Sequence, residues 1–337
     1  MLSNGNNASL EPFGLFPGLS NPFEAKRADC AQRRNQGLVS KRTDRPYQAG
    51  RVEALDQGQE PDASGDKEEF RIVTLRVTFD TNTFDKVVRP AMYPKDPNNA
   101  DFVAVHEALK RGDVLGFICE TIITAEGIGK DQRASVFGST ELRRRTEQVS
   151  GNTFEITLTP EQSARQPVHP KQAERFVAAF DLGFCLLMEG PRIGKLSVAG
   201  DFYVPETDEA LTRRLDRHFK ILQAIETRGL GSSRVIAIAR RWVERAAPNE
   251  HWYRLLGTAR DVKETREVAR AVAEWSDAES ISAHYAYGND LFCTLDVAAG
   301  ETRRGDAAIL DANNRSWLSS EFGIRFASLG DLAALTR

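Results

Sequence analysis

Two apolar segments, far apart in this chain, have the pattern of buried β-strands, and each stops at an aspartate. The first, FRIVTLRVTFD, alternates apolar and polar residues, is rich in β-branched side chains and ends at Asp80. The second, LFCTLD, ends at Asp296. Aspartate is a common turn residue, which explains one such ending better than two. In open α/β folds, ligands bind at the carboxyl ends of the strands, so we expect Asp80 and Asp296 to share a site.

Carboxylates at neighbouring strand ends predict a metal site. Close carboxylates repel each other and raise each other's pKa unless a cation lies between them. Divalent ions such as Mg²⁺ and Mn²⁺ prefer oxygen ligands. Two such ions, held about 4 Å apart, can activate water for attack on a phosphodiester. The pattern of acids therefore favours metal-dependent phosphodiester hydrolysis.

Composition excludes several other classes of protein. The chain has 337 residues, 41% of them hydrophobic, which suffices for one large domain or two ordinary ones. A net charge of −3 excludes a global positive field, so nucleic-acid binding must use a local patch. The four cysteines lack the spacing of a zinc site or redox pair. Without a span of roughly 20 apolar residues or a signal-peptide pattern, we expect a cytoplasmic protein with no membrane partner.

The chain divides into a tail and one α/β domain. Residues 1–68 are rich in Asn, Gly, Pro, Gln and Ser and lack periodicity, which predicts a disordered tail. Residues 69–337 read as a single domain. Between about 128 and 230 the sequence becomes polar and punctuated by prolines, and segments such as GNTFEITLTP predict an insertion with short strands.

Helical periodicity is clearest in four places. It predicts helices in FVAVHEALKRGDV, over 208–227, over about 261–287 and from Leu329 to the end. The segment LGFICETIITAEGI, which contains Glu120, is ambiguous between helix and strand. Over 208–227, the apolar stripe that we expect to face the core consists of Leu211, Leu215, Phe219 and Leu222.

Residues 277–296, DAESISAHYAYGNDLFCTLD, resemble the late signature of the PIN-domain nucleases. An acid and an alanine open an Ala-rich helix at Asp277, Gly288 follows the helix, and Thr294 and Asp296 close the strand. VTFDTNTF is similar to the family's opening strand, and ILDANNRSWLSSEFGIRFASLGDL to its last one. The resemblance covers about 70–125 and 230–337. It implies a three-layer α/β/α fold with a central, mostly parallel sheet.

The resemblance also implies a set of catalytic and metal-binding acids, which are Asp80, Glu120, Asp277 and Asp296. Glu120 is chosen for the second position because the family places a glutamate near a helix start there, and Glu126 and Glu107 are weaker choices. Asn82 and Thr294 would orient a carboxylate beside the metal. The implied activity is a Mg²⁺- or Mn²⁺-dependent endoribonuclease that hydrolyses single-stranded RNA.

An acidic site needs nearby cations to bind RNA, because its own charge repels phosphates. The first candidates lie on one predicted helix and are Arg240, Arg241 and Arg245. The second group lies on another and consists of Arg213, Arg214 and Arg217. For any one of these arginines, a solvated surface position is the alternative. A protein regulator or a homodimer is a further expected partner.

Other interpretations stay open from the sequence. FDTNT also resembles the start of haloacid dehalogenase-type phosphatases, although Asn82 stands where their general acid/base would be. A degenerate nuclease domain could bind RNA or protein without cutting. Glu120 could point to solvent, and Asp277 could cap a helix that begins within the SDAE stretch. For His284 a packed or surface position is the simpler reading, and Asp290 would shape a turn.

Overall fold

The computed structural model describes residues 74–150, 153–163, 170–189, 202–245, 250–295 and 308–337. The predicted tail over 1–68 and Asp296 lie outside the described residues. The strands are β1 (Leu75–Phe79), β2 (Val114–Cys119), β3 (Thr140–Ser150), β4 (Thr153–Gln162), β5 (Cys185–Leu187), β6 (Leu291–Cys293) and β7 (Phe326–Ala327). The α-helices are α1 (Thr81–Val88), α2 (Asn99–Arg111), α3 (Thr121–Thr124), α4 (Arg133–Gly138), α5 (Pro170–Asp181), α6 (Asp208–Thr227), α7 (Ser232–Arg241), α8 (Val262–Tyr287), α9 (Ala312–Phe322) and α10 (Leu329–Thr336).

Five strands form a parallel sheet in the order β5-β2-β1-β6-β7. This confirms the predicted α/β class with a parallel sheet. From β1 the chain builds the sheet outward through β2 and β5, then returns to the other side of β1 for β6 and β7. Such a reversal of strand order is a topological switch point, where α/β proteins bind ligands outside the carboxyl ends of the strands. Here the switch point lies between β1 and β6.

The remaining two strands form a separate antiparallel hairpin. β3 pairs with β4 from Thr140 opposite Gln162 to Ser150 opposite Thr153. The hairpin lies within the predicted insertion over 128–230. That range also contains β5, which pairs with β2 in the central sheet. The part of the chain after the hairpin thus contributes directly to the sheet.

Alternate residues of β1 contact different sets of helices. Val77 and Phe79 are buried in a cluster with residues of α1, α2, α5 and α10. Thr78 is buried beside α8, where its Oγ1 lies 2.9 Å from His284 Nδ1 and accepts a hydrogen bond from Asn289 at 2.8 Å. Burial lowers the pKa of His284 to about 3. His284 is therefore a neutral, packed histidine beneath the sheet.

Helix α8 is the longest element and joins two parts of the core. Its N-cap, Asp261, accepts a hydrogen bond from the Glu264 backbone at 2.8 Å. Its first half packs in an apolar cluster with α4, α7 and the 3₁₀ segment Trp252–Thr258, and its second half contacts β2 and β5. Because the helix is continuous, Asp277 lies in its middle and caps no second helix.

The short helix α4 packs with its backbone against the 3₁₀ segment. A Cβ atom at Gly138 would lie only 2.3 Å from the backbone nitrogen of Gly257, so this contact requires glycine. The close approach fixes the position of α4, whose first residue is Arg133. The structure thereby holds a buried guanidinium beside α8.

In α6 the buried stripe differs from the predicted one. The buried residues are Arg214, His218, Ile221 and Ile225. Phe219, predicted to face the core, is 45% exposed. Arg214 is buried because Glu206 pairs with it at 2.9 Å, and His218 because Glu279 lies 3.0 Å away. These polar partners offset the cost of desolvating Arg214 and His218. A prediction based on an apolar stripe assumes that such residues stay exposed.

Among the described residues, no helix combines the length and apolar character required to cross a membrane.

Candidate functional site

Asp80 follows β1 directly and lies at the switch point. Its side chain is only 6% exposed. One carboxylate oxygen, Oδ1, accepts a hydrogen bond from the Thr81 backbone at 2.7 Å, and the other, Oδ2, accepts one from the Thr294 hydroxyl at 2.7 Å. Parallel pairing of β1 with β6 brings these residues side by side, although 214 positions separate them. Donors from both strand ends therefore orient the Asp80 carboxylate.

Asn82 completes this network. Its amide nitrogen donates to Thr294 Oγ1 at 3.3 Å, and its Oδ1 accepts from the Leu295 backbone at 3.1 Å. Thr294 thus accepts a hydrogen bond from Asn82 and donates one to Asp80. The three residues that the sequence placed at these two strand ends lie in contact. Asp296, the next predicted acid, comes two positions after Thr294 and is outside the described residues.

The charge of Asp80 affects the pKa of a second acid, Glu126, which follows α3. Burial and the negative charge of Asp80 raise the pKa of Glu126 to about 7, against an ordinary value of 4.5. The Thr81 hydroxyl and the cations Arg133 and Lys130 partly oppose this rise. Sequence analysis ranked Glu126 below Glu120, yet it is Glu126 that interacts electrostatically with Asp80.

Arg133 connects Glu126 to Asp277. Its guanidinium is 4% exposed and donates to the backbone carbonyl of Ala269 at 2.9 Å, on α8. Burial lowers the pKa of Arg133, while the carboxylates of Glu126 and Asp277 act in the opposite direction. Asp277 is therefore within electrostatic reach of the same arginine as Glu126. We call Asp80, Glu126, Asp277 and Arg133 the acidic centre.

Glu120 occupies a different environment at the end of β2. It is fully buried, which excludes the solvent-facing alternative. Its Oε1 accepts from the Glu189 backbone at 3.0 Å and its Oε2 from the Tyr203 hydroxyl at 2.5 Å. These two partners belong to the β5 side of the sheet, whereas the Thr294 hydroxyl that donates to Asp80 belongs to the β6 side. The remaining candidate, Glu107, lies exposed on α2 and pairs with Lys110.

The acidic centre has the donors that a hard divalent cation requires. In the described part of the chain, no three His, Cys, Asp or Glu side chains converge in an arrangement suited to a metal ion. Mg²⁺, however, is commonly held by one or two protein carboxylates, with water and substrate oxygens completing its shell. Asp80 and Glu126 supply two such carboxylates. Beside them lies the buried Thr81 hydroxyl, which opposes the rise in the pKa of Glu126.

Most of the arginines predicted to bind RNA make internal contacts. Arg245 forms a bidentate pair with Glu264 at 2.8 and 2.9 Å, and Arg241 pairs with Glu267. Arg214 is buried against Glu206, and its guanidinium lies over the ring of Tyr287. Arg217 lies over the ring of Tyr285. Arg213 and Arg240 are exposed on their helices.

A second buried polar group was missed by the sequence analysis. Glu279, on α8, accepts from the Trp275 indole at 3.1 Å and lies 3.0 Å from His218 Nε2. All three side chains are buried. Trp275 and Glu279 are four positions apart, the spacing at which helical side chains meet. That spacing was the available signal, but nothing local indicated His218, which comes from α6.

Comparison with known proteins gives no relative, since no protein-family model, curated protein or solved structure matches the chain.

Proposed function

We propose that the protein is a divalent-metal-dependent endoribonuclease that hydrolyses single-stranded RNA at the acidic centre. One observation carries the proposal. Burial of Glu126 and the nearby negative charge of Asp80, at the switch point, together raise the pKa of Glu126 to about 7. The proposal includes a PIN-like, three-layer arrangement around the parallel sheet.

A bound cation would explain why the buried Asp80 carboxylate has a second acid, Glu126, beside it. Their mutual repulsion destabilises the fold unless a proton or a metal ion neutralises one charge. The donors are oxygens, so Mg²⁺ or Mn²⁺ suits them better than a soft metal. When bound, such an ion stabilises charge on the phosphoryl group and lowers the pKa of water. We include Asp296 and Asp277 as further ligands and place Glu126 in the position first assigned to Glu120.

The neighbouring residues prepare the acids for this role. The Thr294 hydroxyl and the Thr81 backbone hold the Asp80 carboxylate in one orientation. The Asn82 amide hydrogen-bonds to both the Thr294 hydroxyl and the Leu295 backbone, and so holds the segment after β6 in place. Glu126 carries a proton for about half the time near pH 7 and must release it for its carboxylate to bind an ion. Ordered neighbours of this kind commonly change metal affinity or activity by 10- to 100-fold.

The direct test is cleavage of an end-labelled single-stranded RNA with Mn²⁺ and with EDTA. We expect internal cleavage that needs the metal and is lost in Asp80→Asn and Asp296→Asn. Glu107→Gln, which alters an exposed acid once considered for the site, is the matched control and should cleave normally. Metal-independent cleavage, or full activity in Asp80→Asn, would contradict the proposal.

The same preparations separate the alternatives. A haloacid dehalogenase-type phosphatase would hydrolyse a small phosphomonoester and lose that activity in Asp80→Asn. The structure disfavours this reading, because both ends of the Asn82 amide are engaged with Thr294 and Leu295. A non-catalytic module would bind RNA without cleaving it at any Mn²⁺ concentration.

A further inference from the structure

A basic cleft opens beside the acidic centre, along the first half of α8. Its volume is about 770 Å³. Of the eight described residues that line it, five are cationic and none is acidic. The cationic residues are Lys130, Arg133, Lys263, Arg266 and Arg270. This concentration of one charge contrasts with the net charge of −3 for the whole chain.

Helix α8 separates its charges onto two faces. Its acids Glu264 and Glu267 pair with Arg245 and Arg241, outside the cleft. The exposed bases Lys263, Arg266 and Arg270 face the cleft. Among the described residues, none of these three bases forms an ion pair. Because like charges in one cleft repel each other, this face attracts an anion that the described residues do not supply.

The cleft and the acidic centre share Arg133. Arg133 lines the cleft and also lies within electrostatic reach of Glu126 and Asp277. Lys130 lines it and lowers the pKa of Glu126. Along α8, Arg266, Arg270, Ala273 and Asp277 follow one another at intervals of three or four positions, as residues on one helix face do. From Lys263 to Asp277 this face extends for about 21 Å.

We propose that this cleft binds the phosphodiester backbone of an RNA strand and leads it to the acidic centre. The inference rests on the proposed function, because it assigns the substrate path of that site. A polyanion with regularly repeated charges fits a row of cations better than one small anion does. Val262, Ala269 and Ala273 add apolar surface between the cations, where parts of nucleotides other than the phosphate can pack. An acidic peptide would match the charges but would have no phosphodiester for the acids to act upon.

The test is fluorescence anisotropy with a short, labelled single-stranded oligouridylate in EDTA, over about 0.05 to 0.3 M salt. Each phosphate contact on a single strand contributes about 0.7 to the slope of log K against log salt. Arg266→Gln with Arg270→Gln should therefore reduce the slope by about 1.4 and weaken binding about 25-fold at 0.1 M salt. The matched control is Lys220→Gln with Arg325→Gln, which removes two exposed cations, one from α6 and one from the segment before β7, and should leave binding within about twofold. Circular dichroism should show that both variants are folded.

Three results would overturn the inference. One is the absence of RNA binding by the full chain, and another is an equal loss in both double variants. The third is polyglutamate competing as well as RNA of equal charge, which would make the cleft a site for acidic protein. Failure of the proposed function looks different. If the full chain shows no Mn²⁺-dependent cleavage but RNA binding falls only in the Arg266 and Arg270 variant, the cleft assignment stands and the nuclease activity does not.

Discussion

Two neighbouring strands are each followed by a buried acid, and the surroundings of these two acids differ. Glu120, after β2, accepts hydrogen bonds from a backbone N–H and from a tyrosine hydroxyl. Asp80, after β1, also has its donors but lies near a second carboxylate, Glu126, whose pKa is raised to about 7 by burial and by the charge of Asp80. A buried acid whose oxygens accept hydrogen bonds from neutral donors serves the fold. Two neighbouring carboxylates, one of them with a strongly raised pKa, are a functional-site signal.

The comparison also shows how position along the sheet separates the two roles. Glu120 accepts hydrogen bonds from the β5 side, whereas Asp80 accepts one from Thr294, after β6 and across the switch point. Open α/β folds bind ligands at such a point. From the sequence we predicted that Glu120, at the end of β2, acts beside Asp80. The acid whose pKa Asp80 affects, Glu126, lies only six positions after Glu120. The following four substitutions test the contrast between these two acids.

Asp80→Asn should have the largest effect. It keeps the shape of the side chain and its contact with Thr294 but removes the charge that a cation needs. We expect Mn²⁺-dependent cleavage to fall by about 1,000-fold or more, the scale on which the loss of a principal catalytic group acts. The measurement is kcat/KM on labelled RNA, and thermal unfolding in EDTA serves as the control for folding. A loss below tenfold would place the chemistry elsewhere.

Glu126→Gln should lower cleavage by about 100-fold and should also change the pH dependence. In the wild type at subsaturating Mn²⁺, cleavage should increase from pH 6 to pH 8, because the metal-free Glu126 side chain, with a pKa of about 7, must lose its proton to bind the ion. The variant should lack this transition. Its initial rates, measured across that range at the same subsaturating Mn²⁺ concentration, are the critical data. A transition that persists near pH 7 would assign it to another group.

The same variant gives a stability prediction in the absence of metal. Because the folded-state pKa of Glu126 lies above its ordinary value, the folded protein holds more protons between pH 4.5 and 7, and stability should fall as pH rises through that window. Above pH 7, Glu126→Gln should be more stable than the wild type by up to about 3 kcal/mol. His284, whose pKa is depressed, contributes the opposite slope between pH 3 and 6.5 in both proteins. Urea unfolding in EDTA at several pH values isolates the difference.

Thr294→Val should have a smaller effect on catalysis. The substitution keeps the size of the side chain but removes the hydroxyl that donates to Asp80 and accepts from Asn82. Groups that orient a metal-binding carboxylate typically contribute 10- to 100-fold to metal affinity or activity. We expect a change in the Mn²⁺ concentration for half-maximal cleavage, with Thr294→Ser restoring it. An unchanged Mn²⁺ requirement would show that Asp80 needs no orientation from β6.

Glu120→Gln should have the smallest effect on activity and should act on stability instead. The glutamine amide has one oxygen acceptor in place of two, and its other group is an NH₂ donor. It therefore cannot accept hydrogen bonds from the Glu189 backbone and the Tyr203 hydroxyl through separate oxygens. The expected destabilisation is about 1 to 3 kcal/mol, the penalty of leaving a buried polar group unsatisfied. Cleavage per folded molecule should stay within about threefold of the wild type. A loss comparable with that of Asp80→Asn would return Glu120 to the catalytic set.

Local patterns predicted much of the fold. The alternation ending at Asp80, the helix that stops at Gly112 and the continuous helix α8 all correspond to described elements. These succeed because they depend on short-range sterics and on hydrophobic periodicity. The apolar segment around Glu120 divides into β2 and α3, a boundary that periodicity cannot locate.

Contacts between distant elements could not be predicted in this way. The burial of His218 depends on Glu279, 61 positions away, and the raised pKa of Glu126 depends on how its segment folds back toward Asp80. The basic cleft was missed for the same reason. Lys263, Arg266 and Arg270 form a cationic face only because Arg241 and Arg245 engage the acids between them. Sequence alone shows a helix of mixed charge there.

The pairing of β1 with β6 has a consequence for the life of the protein in the cell. Asp80 is made early, but Thr294, which orients it, is added 214 residues later. During synthesis, the Asp80 carboxylate is therefore present on the ribosome before the Thr294 hydroxyl that orients it. If the protein cuts RNA, it cannot do so efficiently while it is still attached to the message that encodes it. In that case, the 214 positions between these two hydrogen-bonded residues would delay cleavage until most of the chain has been made.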